Sequence, residues 1–271
     1  MSRSSDLHVI YEPRGRALEY SLLAANLYRG CQHGCSYCYA PSALRMRREQ
    51  FHKEAQARKN LMPRLRRDAE RLAGTNKRVL LCFSCDPYQP LEAECGLTHD
   101  TLEIFKKHDI PFQVLTKNGP LATQDFGLYG PNDAFATTLT FDNAEDSRTV
   151  EPGAALPEAR IDAIRVAHGA NIRTWVSLEP VIDPAQSLAL IERTVRWVDL
   201  YKIGKLNHDK ARESQIDWRA FGMNAITLCE RHGKPYYVKN DLAAHLEGVR
   251  FTSTDTRKVD RPDEAAGKLF C

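Results

Sequence analysis

Short apolar runs alternate along this chain with longer stretches in which apolar residues recur every three or four positions. Tyr20–Tyr28 is apolar and predicts a first strand. In residues 58–72, Leu61, Leu65, Ala69 and Leu72 share one helical face, basic residues occupy the other, and Gly74 follows as a stop. Val79–Phe83 reads as a buried strand, 97–108 as a helix, Phe112–Thr116 as a strand and Ala134–Thr140 as a threonine-rich strand. Pro157 opens a helix that Gly169 closes, with Ile161, Ile164 and Ala167 facing inward. Thr174–Leu178, Leu200–Ile203 and Tyr236–Val238 read as further strands. Helices over 184–196 and 217–232 separate them, the first with Leu188, Ile191 and Val195 inward, the second with Trp218, Phe221, Ala225 and Leu228. Such alternation builds parallel βαβ units. About six or seven strands fit a partial or full α/β barrel or a doubly wound sheet, and either places a ligand site at the C-terminal strand ends.

The 271 residues, 42% hydrophobic and 27% charged, suit one soluble domain with a substantial core. We expect an N-terminal extension over 1–17, a core domain over 18–240 and a polar C-terminal extension over 241–271. The start lacks the apolar run of a signal peptide, and no stretch reaches the roughly 18 apolar residues of a membrane span. A cytoplasmic location, no membrane partner and a monomer are therefore the expectations. The net charge of +3 decides little, but residues 45–78 carry 12 Lys/Arg against 4 Asp/Glu. That excess suits either a solvated helix face or contact with a polyanion such as nucleic acid.

The candidate chemistry begins with Cys31, Cys35 and Cys38, three of eight cysteines, in the run Cys31-Gln32-His33-Gly34-Cys35-Ser36-Tyr37-Cys38. In a long chain rich in ordinary core residues, closely spaced cysteines point to metal or catalysis before disulfides. Iron–sulfur clusters normally take four thiolates, so three leave one iron without a protein ligand. Gly30 and Gly34 let the backbone curl around such a core. A zinc site using the same cysteines, with His33 or the Cys82/Cys85 pair, is the rival reading, and would suit a zinc-dependent nucleic-acid-binding protein.

The motif resembles the radical S-adenosylmethionine (SAM) superfamily, whose signature is Cys-x3-Cys-x2-Cys with an aromatic residue before the last cysteine. The run from Asn26 through Cys31 and from Cys38 to Pro41 resembles the branch related to spore photoproduct lyase, a DNA-repair branch. So do Asp86-Pro87-Tyr88-Gln89-Pro90-Leu91-Glu92, Leu115-Thr116-Lys117-Asn118, Arg148-Thr149-Val150-Glu151-Pro152 and Leu178-Glu179-Pro180-Val181. The resemblance covers about residues 18 to 240. It implies an α/β fold, a partial (β/α)6 TIM-like barrel with the cluster loop after the first strand. It implies a [4Fe–4S] cluster on Cys31, Cys35 and Cys38 that cleaves S-adenosyl-L-methionine to a 5′-deoxyadenosyl radical, which abstracts hydrogen from a substrate. A flavodoxin or ferredoxin as electron donor and a nucleic acid base or nucleotide as substrate follow from the same resemblance.

Further residues take roles from their strand-end positions and from this resemblance. Tyr37, before the last cysteine, is expected near the adenine, with Tyr39 beside it. Lys117 is expected to meet the cofactor carboxylate. Ser84, Thr138 and Thr140 offer hydroxyls, and Glu179 a carboxylate, for ribose, methionyl or substrate groups. Each is equally an ordinary strand-end residue, and Arg148 and Glu151 suit a structural ion pair. Cys85 is the candidate catalytic hydrogen donor. Neither it nor Cys82 falls in register with the donor cysteine of the spore lyases, so repair of spore photoproduct is not the expected reaction. Buried cysteines, or an auxiliary metal site of Cys82, Cys85 and Cys95, are the alternatives.

Overall fold

A computed structural model of the chain describes residues 8–254. Its strands are β1 (Ile10–Tyr11), β2 (Leu23–Ala25), β3 (Tyr28–Arg29), β4 (Gln56–Ala57), β5 (Val79–Leu81), β6 (Phe112–Thr116), β7 (Ala134–Thr138), β8 (Arg173–Leu178), β9 (Leu200–Ile203) and β10 (Tyr236–Val238). Eight of them form one sheet in the order β1-β2-β5-β6-β7-β8-β9-β10. Every neighbouring pair is parallel except β1 with β2. β1 and β10 stand at opposite ends, so the barrel is partial, as the resemblance implies. It contains seven parallel strands, within the six or seven that the alternation predicts and one more than the (β/α)6 barrel of the resemblance. β3 and β4 form a separate antiparallel pair.

The apolar run Tyr20–Tyr28, expected as one strand, is divided between these two sheets. Asn26 breaks it. Its Oδ1 accepts the backbone N–H groups of Phe83 and Ser84, both at 2.8 Å, and so ties the end of β2 to the end of β5. Tyr28 and Arg29 then pair with Ala57 and Gln56. The short β1 and β4 carry no periodicity to read and were not foreseen.

The helices keep their expected places with trimmed ends. The Leu61–Leu72 helix starts only after Asn60, held in the left-handed region at φ 54°. The Trp218–Arg231 helix is capped by Asp217, whose side chain accepts from the Ala220 N–H. Along the sheet, alternate residues face opposite ways. One face packs on the helices through Phe135, Val176 and Ile203, and the other carries a small inner cluster of Ala24, Leu80, Ala134, Ala136 and Trp175. Continuing the inner rows past the C-terminal strand ends reaches Lys117, Thr138, Ser177 and Glu179, which line the cavity described below. The strand period therefore places polar residues over an apolar plug.

The ends of the described chain join this core. Val9 and Ile10 are buried, and β1 extends the sheet from within the segment set apart as an extension. At the other end Leu242 and Leu246 are buried, and the Thr254 N–H donates to Tyr236 O at 2.7 Å, alongside β10. Cys271 lies outside the described residues. Among the described residues no helix is long and apolar enough to cross a membrane.

Candidate functional site

A cavity of about 430 Å³ opens at the C-terminal ends of the parallel strands. Cys31, Cys35 and Cys38 line it, together with Tyr37, Tyr39, Ser84, Cys82, Cys85, Lys117 and Glu179. The strand topology thus gathers residues spread over more than half of the chain. Thr140 is the exception among the expected cofactor contacts. It is buried beneath Tyr37, 3.4 Å from the phenol oxygen, and Thr138 takes its place in the lining.

The cysteine loop is braced from three directions. The Gln89 carboxamide accepts the Gln32 N–H at 2.9 Å and donates to Gly30 O at 3.3 Å, while Gln32 Oε1 accepts the Leu91 N–H. Ser36 N–H donates to Val150 O at 2.9 Å, and Gly153 N–H to His33 O at 2.8 Å. Arg48 donates to the Cys35 and Cys38 carbonyls at 3.0 and 2.8 Å, and His52 Nδ1 lies 2.8 Å from Cys31 O. Gly30 sits at φ +90°, where a Cβ would stand 2.6 Å from Phe51 O, so only glycine fits this approach. Of these braces, the sequence offered only the two loops, Asp86–Glu92 and Arg148–Pro152. Gln32, Arg48 and His52 carried no periodic or motif signal that distinguished them.

The thiols are free cysteines. Burial pushes all three upward, Cys35 to about 12, while the His33 N–H donating to Cys31 and the Ala40 N–H donating to Cys38 oppose that shift. Backbone donors aimed at sulfur favour the thiolate that iron requires. Among the described residues, no group of three or more His, Cys, Asp or Glu side chains converges tightly enough to hold a single metal ion. A [4Fe–4S] core asks for less convergence, because each thiolate takes a different iron. Three free thiols from one glycine-curled loop, bordering one cavity, fit that group.

Beside the cysteines stands Lys117 at the end of β6. Burial works against its charge, but Cys35, Glu151 and Asp86 outweigh it and raise its pKa, so it is an ammonium. Its Nζ makes no hydrogen bond, and the Tyr37 ring lies 5.7 Å away. Asp86 fixes its backbone, accepting the Lys117 N–H at 2.8 Å and the Thr116 hydroxyl at 2.6 Å. Glu151 is buried, bonded to Arg160 at 2.6 Å and to the Tyr37 hydroxyl. Burial opposes its ionisation, yet Arg160 and Lys117 hold it below the usual range. Arg148 is not its partner. The ion pair is Arg160–Glu151, brought together by tertiary structure.

The far wall is polar. Glu179 accepts the Tyr20 hydroxyl at 2.7 Å, pairs with Lys239 and receives Asn207 at 3.3 Å. A Cβ on Gly204 would stand 2.9 Å from Glu179, so the glycine makes room for that network. Tyr39 is 45% exposed and donates to Phe83 O at 2.9 Å. Ser84 Oγ is buried without a partner and is available to a ligand. Cys82 and Cys85 touch one another in the wall, whereas Cys95 is exposed and outside the cavity, so the three are not assembled as one auxiliary site. Tyr20, Asn207 and Lys239 were not singled out in the sequence.

No protein-family model matches the chain. A spore photoproduct lyase variant with bound AdoMet and dinucleoside spore photoproduct superposes with a TM-score of 0.62, at 14% identity, over 81% of this chain and 76% of that one. Streptococcus suis SuiB bound to S-adenosylmethionine superposes at 0.61, with 9% identity, over 86% of this chain and 54% of that one. The chain shares its fold with these spore photoproduct lyase and SuiB structures. By sequence the chain is 28% identical over 183 residues to an uncharacterized protein of Mycobacterium tuberculosis, covering 63% of this chain and 52% of that protein. It is 26% identical over 191 residues to an uncharacterized protein of Methanocaldococcus jannaschii, covering 69% and 71%. The chain thus spans about half the length of the mycobacterial relatives it matches.

Proposed function

We propose that this chain is a radical SAM enzyme, with a [4Fe–4S] cluster on Cys31, Cys35 and Cys38 and S-adenosylmethionine in the adjoining cavity. The observation that carries the reading is the meeting, in one cavity, of three free thiols and a half-buried ammonium, Lys117, whose Nζ makes no hydrogen bond. When bound and reduced, the cluster supplies one electron that splits the sulfonium to methionine and a 5′-deoxyadenosyl radical, the hydrogen-abstracting species. The protein's own part is to bind, orient and shield. Lys117 offers the cofactor carboxylate a charge-assisted partner in a half-buried setting. Tyr37, held by Glu151, forms a fixed aromatic edge, and the free Ser84 hydroxyl offers one polar contact. Tyr39 and Glu179 complete the proposed set, and Thr140 acts by holding Tyr37 and Glu151.

Two features support a nucleotide or nucleic acid base as substrate. The cavity mouth carries the exposed Arg14 and Arg16, suited to a phosphate, whereas the wall lysines Lys205 and Lys239 are paired with Glu213 and Glu179. The spore lyase neighbour holds a dinucleoside spore photoproduct. Cys85, in contact with Cys82 at the wall, is the proposed hydrogen donor to a substrate radical.

The test is anaerobic reconstitution with iron and sulfide. The expected protein is brown, binds about four irons per chain and forms 5′-deoxyadenosine from S-adenosylmethionine with dithionite. The C31A/C35A/C38A variant should bind no cluster. About one zinc and no iron in the native protein would establish the zinc-binding alternative instead.

A further inference from the structure

The cysteine loop is approached from two surfaces. One is the cavity mouth, whose exposed lining residues are Arg14, Arg16, Tyr39 and His208. The other is formed by residues 45–59. Here the Arg48–Lys53 helix lies directly on the loop. Arg48 bonds the Cys35 and Cys38 carbonyls, His52 meets Cys31 O, and Cys31 N–H donates to Phe51 O at 3.2 Å. The Arg58 N–H donates to Leu27 O at 3.1 Å and anchors the segment's end beside the strand that enters the loop. A single layer of protein therefore separates this surface from the cysteine backbone.

That layer is cationic on its outside. Arg45, Arg47, Arg48, Lys53, Arg58 and Lys59 are all exposed, against Glu49 and Glu54, an excess of four positive charges. Lys53 is tied to Glu49, and none of these basic residues lines the cavity. The patch also lacks an exposed Phe, Tyr or Trp on which a base could stack, because Phe51 is buried. A concentrated positive field over a thin cover, made by residues outside the cavity lining, suits a negatively charged protein that must come near the cluster without entering the cavity.

We infer that the surface built from residues 45–59 is the docking site for a small acidic one-electron carrier protein, and that the electron enters across the Arg48 helix. The inference rests on the cluster reading given above. In the step, the reduced carrier loses one electron and the oxidised cluster gains it, with no bond made or broken and no proton moved. Electron transfer weakens steeply with distance, so a one-layer cover is a natural port.

The test compares the wild-type holoprotein with R47E/R58E/K59E, at residues outside the cavity. Cluster bleaching is followed with a reduced acidic flavodoxin and, separately, with the neutral photoreductant 5-deazariboflavin. The flavodoxin rate should fall about tenfold or more in the variant, and several-fold in the wild type as salt rises from about 50 to about 300 mM. The deazariboflavin rate should be unchanged, and R47K/R58K should keep the wild-type rate. Flavodoxin binding to the cluster-free protein, read by fluorescence anisotropy, should weaken in parallel. An unchanged flavodoxin rate in the charge-reversed protein overturns the inference. So does loss of single-stranded oligonucleotide binding with electron delivery intact, which would make the patch a nucleic-acid surface. A wild-type protein that takes up no iron overturns the cluster reading, and is seen before any carrier is added.

Discussion

At the scale of single residues, the site rests on a few side chains whose partners are far away in sequence. Lys117 is the clearest. Its charge is set by Cys35, Glu151 and Asp86 and its position by Asp86, while its ammonium is free for a ligand. Lys117→Met should leave iron loading intact and weaken S-adenosylmethionine binding about tenfold or more, as loss of one charge-assisted contact does. Isothermal titration on the holoprotein measures this, and an unchanged affinity would remove Lys117 from the cofactor site. Arg160→Met tests the support beneath it. Glu151 would be left as a buried charge without its guanidinium, at a cost of about 3–5 kcal/mol, visible as a lowered denaturant midpoint. Lys117 was legible because it ends a strand on the active face. Glu151 was noticed with the wrong partner, since Arg148 is its neighbour in the chain and Arg160 its neighbour in space.

At the scale of elements, periodicity reads well where an element buries one face and poorly where tertiary contacts end it. The Leu97–Lys107 helix shows how elements then support the site. His99 on this helix is 2.7 Å from Asp125, which also accepts the Tyr88 hydroxyl at 2.6 Å, and Tyr88 adjoins Gln89, the brace of the cysteine loop. The Asp125 hydrogen bond raises the His99 pKa. The stabilisation is therefore complete below the unfolded value of about 6.5 and fades as pH rises through the higher folded value. His99 is half exposed, so the effect is small. NMR titration should place the His99 midpoint above an ordinary histidine, and Asp125→Asn should return it. A midpoint at or below the ordinary value would show that the pair does not operate. The sequence could not reveal this link, because neither residue lies on an apolar stripe.

At the scale of the whole molecule, one edge of the sheet is finished by β1, from a segment that sequence patterning treated as an extension. The buried Asp68 carboxylate on the Leu61–Leu72 helix accepts the His8, Val9 and Ile10 N–H groups at 2.6–3.0 Å, clamping β1 to the sheet edge. Asp68→Ala should cost about 2–3 kcal/mol and speed amide exchange at Ile10 and Ala25 while leaving β7 and β8 protected. Uniform loss of protection would mean that this edge is not a separable unit. What the chain alone determined was the alternation of strands and helices and the cysteine spacing, since both are written in nearest-neighbour chemistry. Periodicity depends only on which faces must leave water, and a loop's ligands only on a few consecutive residues. What the tertiary structure decided was how the apolar run at 20–28 divides between two sheets, which residues brace the loop, and which charges meet in the cavity. Those outcomes depend on distances between residues remote in sequence, and only the closing of the parallel sheet sets them.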